Sequence, residues 1–588
     1  MRRSGWWCVL GILIFVALAV DSQAAQKATA PGAAKTAAKA AASKPNIILI
    51  TLDSTRADRM GFLGSHGGLT PNLDAIAHQG ITFAQAYAQS PLTVDSHATI
   101  LTGVYSEIHR ASDFGTPLEQ RLPYLPYLLH LSGYRTAAFV GSILLDPANG
   151  PFQRYDRGFD LYDAAFHQSQ RGESRYQTVA RHADQVVARA AKWLAENKQQ
   201  PFFLWVNLHD PSAPDGAYDR SVAAVDAATG NLVKLLHAQS FYDEALIVVA
   251  SVHGESLGAH GEDTHGIFLY DETIHVPLLL KLPRNQMAGK QVKNRARLLD
   301  VAPTILEAAG IPVPSQMQGQ SLLRIAQASS QADQPAYARS DLPQQGFQCS
   351  RIESWRAGKY LYMRAPKPEL YDVSADPNAT RNLAQSSKAT LETLASQLQA
   401  LDNHFGNEPG KESGAGLTSS EMQKLASLGY VGLQTTGASA NVAAKGTDAK
   451  DILAAANKTL AALQDLDDGK PEKAIPVLRQ VLASQPDLYL AQFAMGTALF
   501  QQQHYAEAFG FLHKAIELEP ESPWAHYTMG LGLMKTGDFQ TSDIHLKIAA
   551  RRLPGSVPLR AALAEVERHL GTSQDAVRTS KEGSGKHN

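Results

Sequence analysis

Three short segments of this sequence carry the kinds of side chain that a metal-assisted esterase needs. In PNIILITLDSTRAD the apolar run Ile47–Leu52 ends on Asp53, and SPLTVDSHATILTG offers hydroxyls, among them Thr93, together with Asp95 and His97. A carboxylate can hold a cation, and a cation acidifies a hydroxyl that it touches. The third segment, IVVASVHGESLGAHGEDTHG, presents His253 at the end of another apolar run and adds His260 and His265. Where that chemistry wants a second carboxylate the chain has Val252, whose isopropyl group cannot bind a metal.

The runs that carry these residues indicate the scaffold. Ile47–Leu52 and the run at 247–250 read as strands of a buried parallel sheet, so Asp53 and His253 stand at C-terminal strand ends, where open α/β sheets place their ligands. From residue 45 to about 405, further apolar runs (TAAFVGS, FFLWVNL, VPLLLKL) alternate with helix-like stretches such as TPNLDAIAHQG and VARHADQVVARAAKWLAENK. That alternation predicts an α/β fold, a mainly parallel sheet sandwiched by helices. The closing stretch KYLYMRAPKPELYDVSADPNATRNLA predicts a small antiparallel subdomain.

A chain of 588 residues suggests two to four folding units, and 44% hydrophobic with 19% charged residues is ordinary for a soluble globular protein. The formal charge of −2 leaves no basic footprint, which argues against nucleic acid as a partner. Arg2 and Arg3 precede an apolar stretch over residues 6–20, and Ser22-Gln23-Ala24 offers small residues where signal peptidase reads. Residues 1–24 are therefore expected to be an export signal. The alternative is an uncleaved membrane anchor, although the run is slightly short of the ~20 apolar residues that span a bilayer. With the signal removed Cys349 is the only cysteine left, so no intrachain disulfide is expected, and a bacterial periplasm is the simplest compartment.

Residues 25–44, rich in Ala, Lys and Pro, have too little apolar bulk to offset the entropy of ordering and read as a tether. Residues 406–452 read as a second linker, interrupted by the helical piece LTSSEMQKLASLGYVG. Beyond it Pro486, Pro520 and Pro554 recur every 34 residues, as do Gly496 and Gly530, Tyr505 and Phe539, and Ala515 and Ala549. A 34-residue period with small residues at fixed helix positions is the tetratricopeptide (TPR) signature, an all-α solenoid in which each repeat buries its apolar face against the next. Three repeats are expected from about Leu453, Tyr489 and Trp524, with a capping helix completing residues 453–572 and a disordered tail at 573–588. Such a solenoid implies a protein or peptide partner.

PNIILITLDSTRAD, TPNLDAIAHQGITFAQAYAQSP, SHATILTG, HGESLGAHG, HGIFLYDETIHVPLLLK, LLDVAPTILEAAG and PELYDVSADPNATRNLA, taken in order, resemble the sulfatase branch of the alkaline phosphatase superfamily. The resemblance covers residues 45–405 and implies a metal-dependent hydrolase or transferase of sulfate or phosphate esters. Its nucleophile would sit on one or two divalent cations; zinc is the expected metal, with manganese or calcium as alternatives. Counted back from Leu101-Thr102-Gly103, Thr93 falls on the nucleophile position, where formylglycine sulfatases carry Cys or Ser followed by a pattern ending in Ser-Arg. Here the pattern reads Thr93-Val94-Asp95-Ser96-His97, so formylglycine chemistry is not expected. Threonine at that position resembles instead the phosphodiesterases and phosphoethanolamine transferases of the superfamily.

By the same resemblance Asp53, Thr93 and His253 form the core of the metal site, and Asp210, His260 and His265 complete it. Two departures remove ligands: Val252 replaces the Asp of a Ser-Asp-His-Gly pattern, and Ser212 in VNLHDPSAPD replaces a histidine. Asp95 would either supply the missing ligand or repel an anionic substrate, and repulsion or neutrality is favoured. His97, His209 and His275 read as packed or hydrogen-bonded residues. Two functions compete: an exported ester hydrolase or transferase with Thr93 as nucleophile, and a catalytically degenerate domain kept for binding while the repeats carry the interaction.

Overall fold

The computed structural model describes residues 44–584 except 112–117, 148–153, 165, 167–180, 198–200, 210–217, 329–333 and 408–445. The proposed export signal, nearly all of the tether, the helical piece of the second linker, Asp210 and Ser212 lie outside the described residues.

The apolar runs form the centre of an eight-stranded sheet, in the order Leu161–Asp163, Arg135–Val140, Phe202–Leu208, Ile47–Leu52, Leu246–Ser251, Leu278–Lys281, Ile81–Phe83, Lys290–Val292. The first five of these strands are mutually parallel. The Leu278–Lys281 strand runs antiparallel to both of its neighbours, so the sheet is mixed. Every residue of Ile47–Leu52, Phe202–Leu208 and Leu246–Ser251 is buried, as expected for strands covered on both faces. One face carries Ile47, Leu49, Val248, Ala250 and Val252 against the helix Thr93–Thr102, with Val94 and Ala98 in the same apolar cluster. The other carries Ile48, Ile50, Ile247 and Val249 against the helices Ala183–Glu196 and Tyr218–Ala238. The predicted small antiparallel unit is a four-stranded sheet, Ala336–Ser340, Ile352–Ala357, Tyr360–Arg364 and Glu369–Asp372, covered by the helix Lys388–Asn407.

Seven helices follow among the described residues, from Ala449–Asp467 to Val557–Ser584, and the last runs on through positions assigned above to a tail. Two helical pairs repeat the same step: Tyr489–Gln501 with Tyr505–Leu518, then Pro523–Thr536 with Phe539–Arg552. The glycines of that period explain how closely the partners approach. A Cβ built on Gly496 would lie 2.7 Å from the Leu512 side chain, and one on Gly530 would lie 2.7 Å from Leu546. The helices do not stand apart from the sheet domain, because one apolar cluster runs from Ile47 through Leu342 and Ile452 to Ile548.

Candidate functional site

The register of the central strands brings the sequence-predicted residues to one edge. Leu52 pairs with Leu208 on one side and with Ser251 on the other, so Asp53, His209 and Val252 all emerge at neighbouring strand ends. The backbone continues that order, with the Asp53 amide donating to Leu208 O and the Val252 amide to Leu52 O. Thr93 is the first residue of the helix Thr93–Thr102, which packs over this end of the sheet.

Thr93 and His253 meet, with Oγ1 and Nε2 3.1 Å apart. The other ring nitrogen fixes the proton's place. His253 Nδ1 lies 2.8 Å from Gly254 O, which can only accept, so Nδ1 donates and Nε2 offers its lone pair to the Thr93 hydroxyl. Burial first and the neighbouring His265 second hold the His253 pKa well below the ordinary imidazole range, which keeps the ring neutral. The pair is thus a hydroxyl donating to a neutral base, buried on both sides.

Asp53 has less company. Its Oδ2 accepts from Asn207 Nδ2 at 3.2 Å and lies 3.8 Å from His209 Nδ1, while its buried Oδ1 has no hydrogen-bond partner among the described residues. Burial pushes its pKa up to about 7, against the lowering effects of Asn207 and His265. Asn207 is itself oriented: its Oδ1 accepts from the amides of Gly141 and Ser142, which turns its NH2 toward Asp53. Below them His97 donates from Nδ1 to Thr93 O at 2.6 Å and contacts Thr51 Oγ1 and Asn207 Nδ2 through Nε2. Burial pushes its pKa down to about 4, so it is a neutral strut beneath the site.

The loop after His253 brings one of its two histidines to the pair. His265 lies over His253 with ring centroids 4.2 Å apart and places Nδ1 2.9 Å from Glu255 Oε2. His260 faces elsewhere: it stacks on Tyr270 at 3.5 Å, with Nδ1 2.5 Å from Glu272 Oε1 and Nε2 3.3 Å from Ala379 O. Burial opposes its protonation, but the Glu272 carboxylate outweighs it and raises the pKa. Asp95, the carboxylate nearest Thr93 in sequence, is turned into the protein, where Oδ1 takes the Ser106 hydroxyl and lies 3.3 Å from His109 Nε2. It neither joins Asp53 nor faces a substrate. His275 is structural, reaching Ala84 O and stacking on Tyr87. His209, read from sequence as packed or hydrogen-bonded, is the imidazole beside Asp53.

The divalent cation implied by the resemblance is tested by this donor set. Among the described residues Asp53 is the carboxylate at these strand ends, with Glu255 engaged by His265, and the orphaned Oδ1 of Asp53 marks a position where a positive partner would be favourable. Among the described residues none supplies a second anionic ligand beside Asp53: at the adjacent strand end Val252 is fully buried within the apolar cluster under the Thr93 helix. Among the described residues no group of three or more His, Cys, Asp or Glu side chains is arranged to hold a metal ion. The described residues, taken by themselves, do not fit a divalent cation site.

Comparison with known proteins agrees with this geometry of fold. The sulfatase family profile matches residues 45–311, and that of the N-sulphoglucosamine sulphohydrolase C-terminal region matches 261–404. The chain is 25% identical over 429 residues to an ulvan-active sulfatase of Formosa agariphila, covering 63% of this chain and 82% of that protein. It is 23% identical over 463 residues to human arylsulfatase K, covering 64% and 85%. A solved structure of a protein bound to its substrate D-glucosamine-2-N,6-O-disulfate matches with a TM-score of 0.52 at 20% identity, over 63% of this chain and all of that one. The phosphonate monoester hydrolase of Agrobacterium radiobacter matches with the same TM-score and identity, over 64% and 98%. With its strand order and these matches in agreement, residues 45–404 are similar in sequence and in fold to the sulfatases.

Proposed function

We propose that the sulfatase-like domain binds anionic sulfate or phosphate esters without cation-dependent turnover, and that the C-terminal helices are a tetratricopeptide-type module for a protein or peptide partner. The observation that carries the first part is Val252. The residue beside Asp53 on the adjacent strand is apolar and packed, so among the described residues these strand ends keep one buried carboxylate where the chemistry of an anionic ester calls for a cation held by several. The N-terminus of the Thr93–Thr102 helix and the imidazoles of His209 and His265 remain as partners for an anion. The second part is supported by the 34-residue period and by the repeated glycine–leucine contact between helix pairs. Export is supported by the N-terminal sequence, Arg2 and Arg3 before an apolar run.

The test is metal content of the signal-free protein by elemental mass spectrometry, with turnover of aryl sulfate, phosphate and phosphodiester substrates. Sub-stoichiometric metal and no metal-stimulated turnover are expected; about one equivalent of bound zinc, manganese or calcium with metal-dependent hydrolysis would overturn the reading. One observation favours a second reading. The Thr93 hydroxyl donates to a neutral histidine, the arrangement of a nucleophile with its general base, and this supports slow ester hydrolysis that chelators do not inhibit.

A further inference from the structure

The loop between His253 and Phe268 is an improbable piece of backbone. Leu257, Gly258, His260, Gly261 and Gly266 all take positive φ, and three of the short turns are closed by Ser256 N to Thr264 O, Gly258 N to Glu262 O and Glu262 N to Ala259 O. Inside, the Glu262 carboxylate is buried and accepts from the amides of Ile267 and Phe268. This folded loop is what lays His265 on His253, next to Thr93.

From outside, the loop is held by the first C-terminal helix, Ala449–Asp467. Asn457 donates from Nδ2 to Gly261 O at 2.8 Å and accepts from the Asp263 amide at 3.4 Å. Leu453, one turn earlier on the same helix face, packs so closely on the loop that a Cβ built on Gly261 would lie 3.0 Å from its Cδ2. The helix is anchored by other contacts around this clamp. Asp448 caps it and accepts from the Lys367 amide, Lys450 pairs with Glu369, and the Glu369 carboxylate also takes the hydroxyls of Tyr270 and Tyr371. Further along, the Tyr489 amide donates to Gln348 Oε1.

We propose that Asn457 is a positioning residue of the Thr93–His253 site: the helical module grips the 254–266 loop and thereby sets His265 against His253, so the module and the site form one mechanical unit. The proposal concerns loop order. Only its ligand readout rests on the reading that the site binds anionic esters.

The experiment is hydrogen–deuterium exchange of the full chain, wild type against Asn457→Leu, which removes both hydrogen bonds and substitutes a side chain of similar length that favours the helix. Amides in 256–267 should exchange at least tenfold faster, with the Ala449–Asp467 helix unchanged. Asn457→Asp, which keeps the acceptor for Asp263 N–H and loses the donor to Gly261 O, should recover part of the protection. Inorganic phosphate, titrated by calorimetry, should bind the Leu variant several-fold more weakly than wild type. Equal loop exchange in wild type and Asn457→Leu overturns the proposal, as does faster exchange spread equally along the helix, which would make Asn457 a docking residue and nothing more. Failure of wild type to bind phosphate would count against the ester-binding reading alone, since the exchange result stands without it.

Discussion

Val252→Asp places beside Asp53 the carboxylate that the sulfatase resemblance implies, and its consequences divide by metal. Val252 is fully exposed to the apolar cluster and to no solvent, and it sits at the strand end adjacent to Asp53. Replacing it forfeits about 1.5–3 kcal/mol of apolar burial. It also buries a carboxyl beside Asp53, which burial already holds up at a pKa of about 7, so the second acid must stay protonated or unpaired. An unpaired buried charge costs about 3–5 kcal/mol, and the total without metal is of order 4–6 kcal/mol once partial relaxation is allowed. For a domain of roughly 360 residues, with an unfolding entropy of about 2.1 cal/mol/K per residue, that is roughly 5–8 °C in Tm. A cation on the two carboxylates, at about one hundred times its Kd, returns about 2.7 kcal/mol. The assay is thermal unfolding of both proteins in chelator and in calcium, manganese or zinc, beside elemental analysis. The expected pattern is a large drop for the variant in chelator, partial recovery with one metal, and a flat wild type. Equal metal-induced stabilisation of wild type and variant would refute the reasoning, because it would mean that other groups already complete the site.

Thr93→Val keeps the volume and removes the hydroxyl, leaving buried His253 Nε2 without its donor; a loss of about 1–2 kcal/mol by urea unfolding is expected, together with any chelator-insensitive ester hydrolysis. Gly530→Ala places a methyl group 2.7 Å from Leu546, and the forced separation of the paired helices should cost about 1–3 kcal/mol, read from unfolding of the helical module. Glu519, at the end of the Tyr505–Leu518 helix, has its pKa raised by burial to about 7 against the pull of Arg552. A folded pKa above the unfolded 4.5 means that the folded state holds the proton more tightly, so this contribution to stability is present below the unfolded pKa and is lost as pH rises through about 7. Glu519→Gln should therefore gain about 1–2 kcal/mol near pH 8, after allowance for screening of a partly exposed group, and a few tenths near pH 5. Melting curves that show the same gain at both pH values would dispose of that assignment.

What could be read from the sequence follows what each kind of residue broadcasts. The five central apolar runs are all strands, because uninterrupted burial leaves an uninterrupted apolar pattern. The short strands Ile81–Phe83 and Lys290–Val292 were not legible, and neither was the reversed direction of Leu278–Lys281, since direction depends on connections and not on composition. At the site, Asp53, Thr93 and His253 stand at ends of elements that the pattern already delimits, so their convergence followed once the strands were placed. Asn207 and Thr51 had a weaker signal, a polar side chain inside the apolar runs FFLWVNL and IILITL; in the structure these are the groups that orient Asp53 and His97.

His209 and Asn457 had no signal of that kind. Each acquires its role from a partner distant in the chain: His209 from the register that sets Leu208 beside Leu52, and Asn457 from the docking of a helix 196 residues beyond Gly261. The sequence pattern divides the chain at its low-complexity stretch, which suggests an adaptor module joined by a linker to an independent domain. The packing runs the other way. Asp448 and Lys450 tie the first helix to Lys367 and Glu369 of the antiparallel sheet, and Leu453 and Asn457 hold the loop of His265. A stretch of sequence too polar and too small to build a core therefore separates two parts that share one.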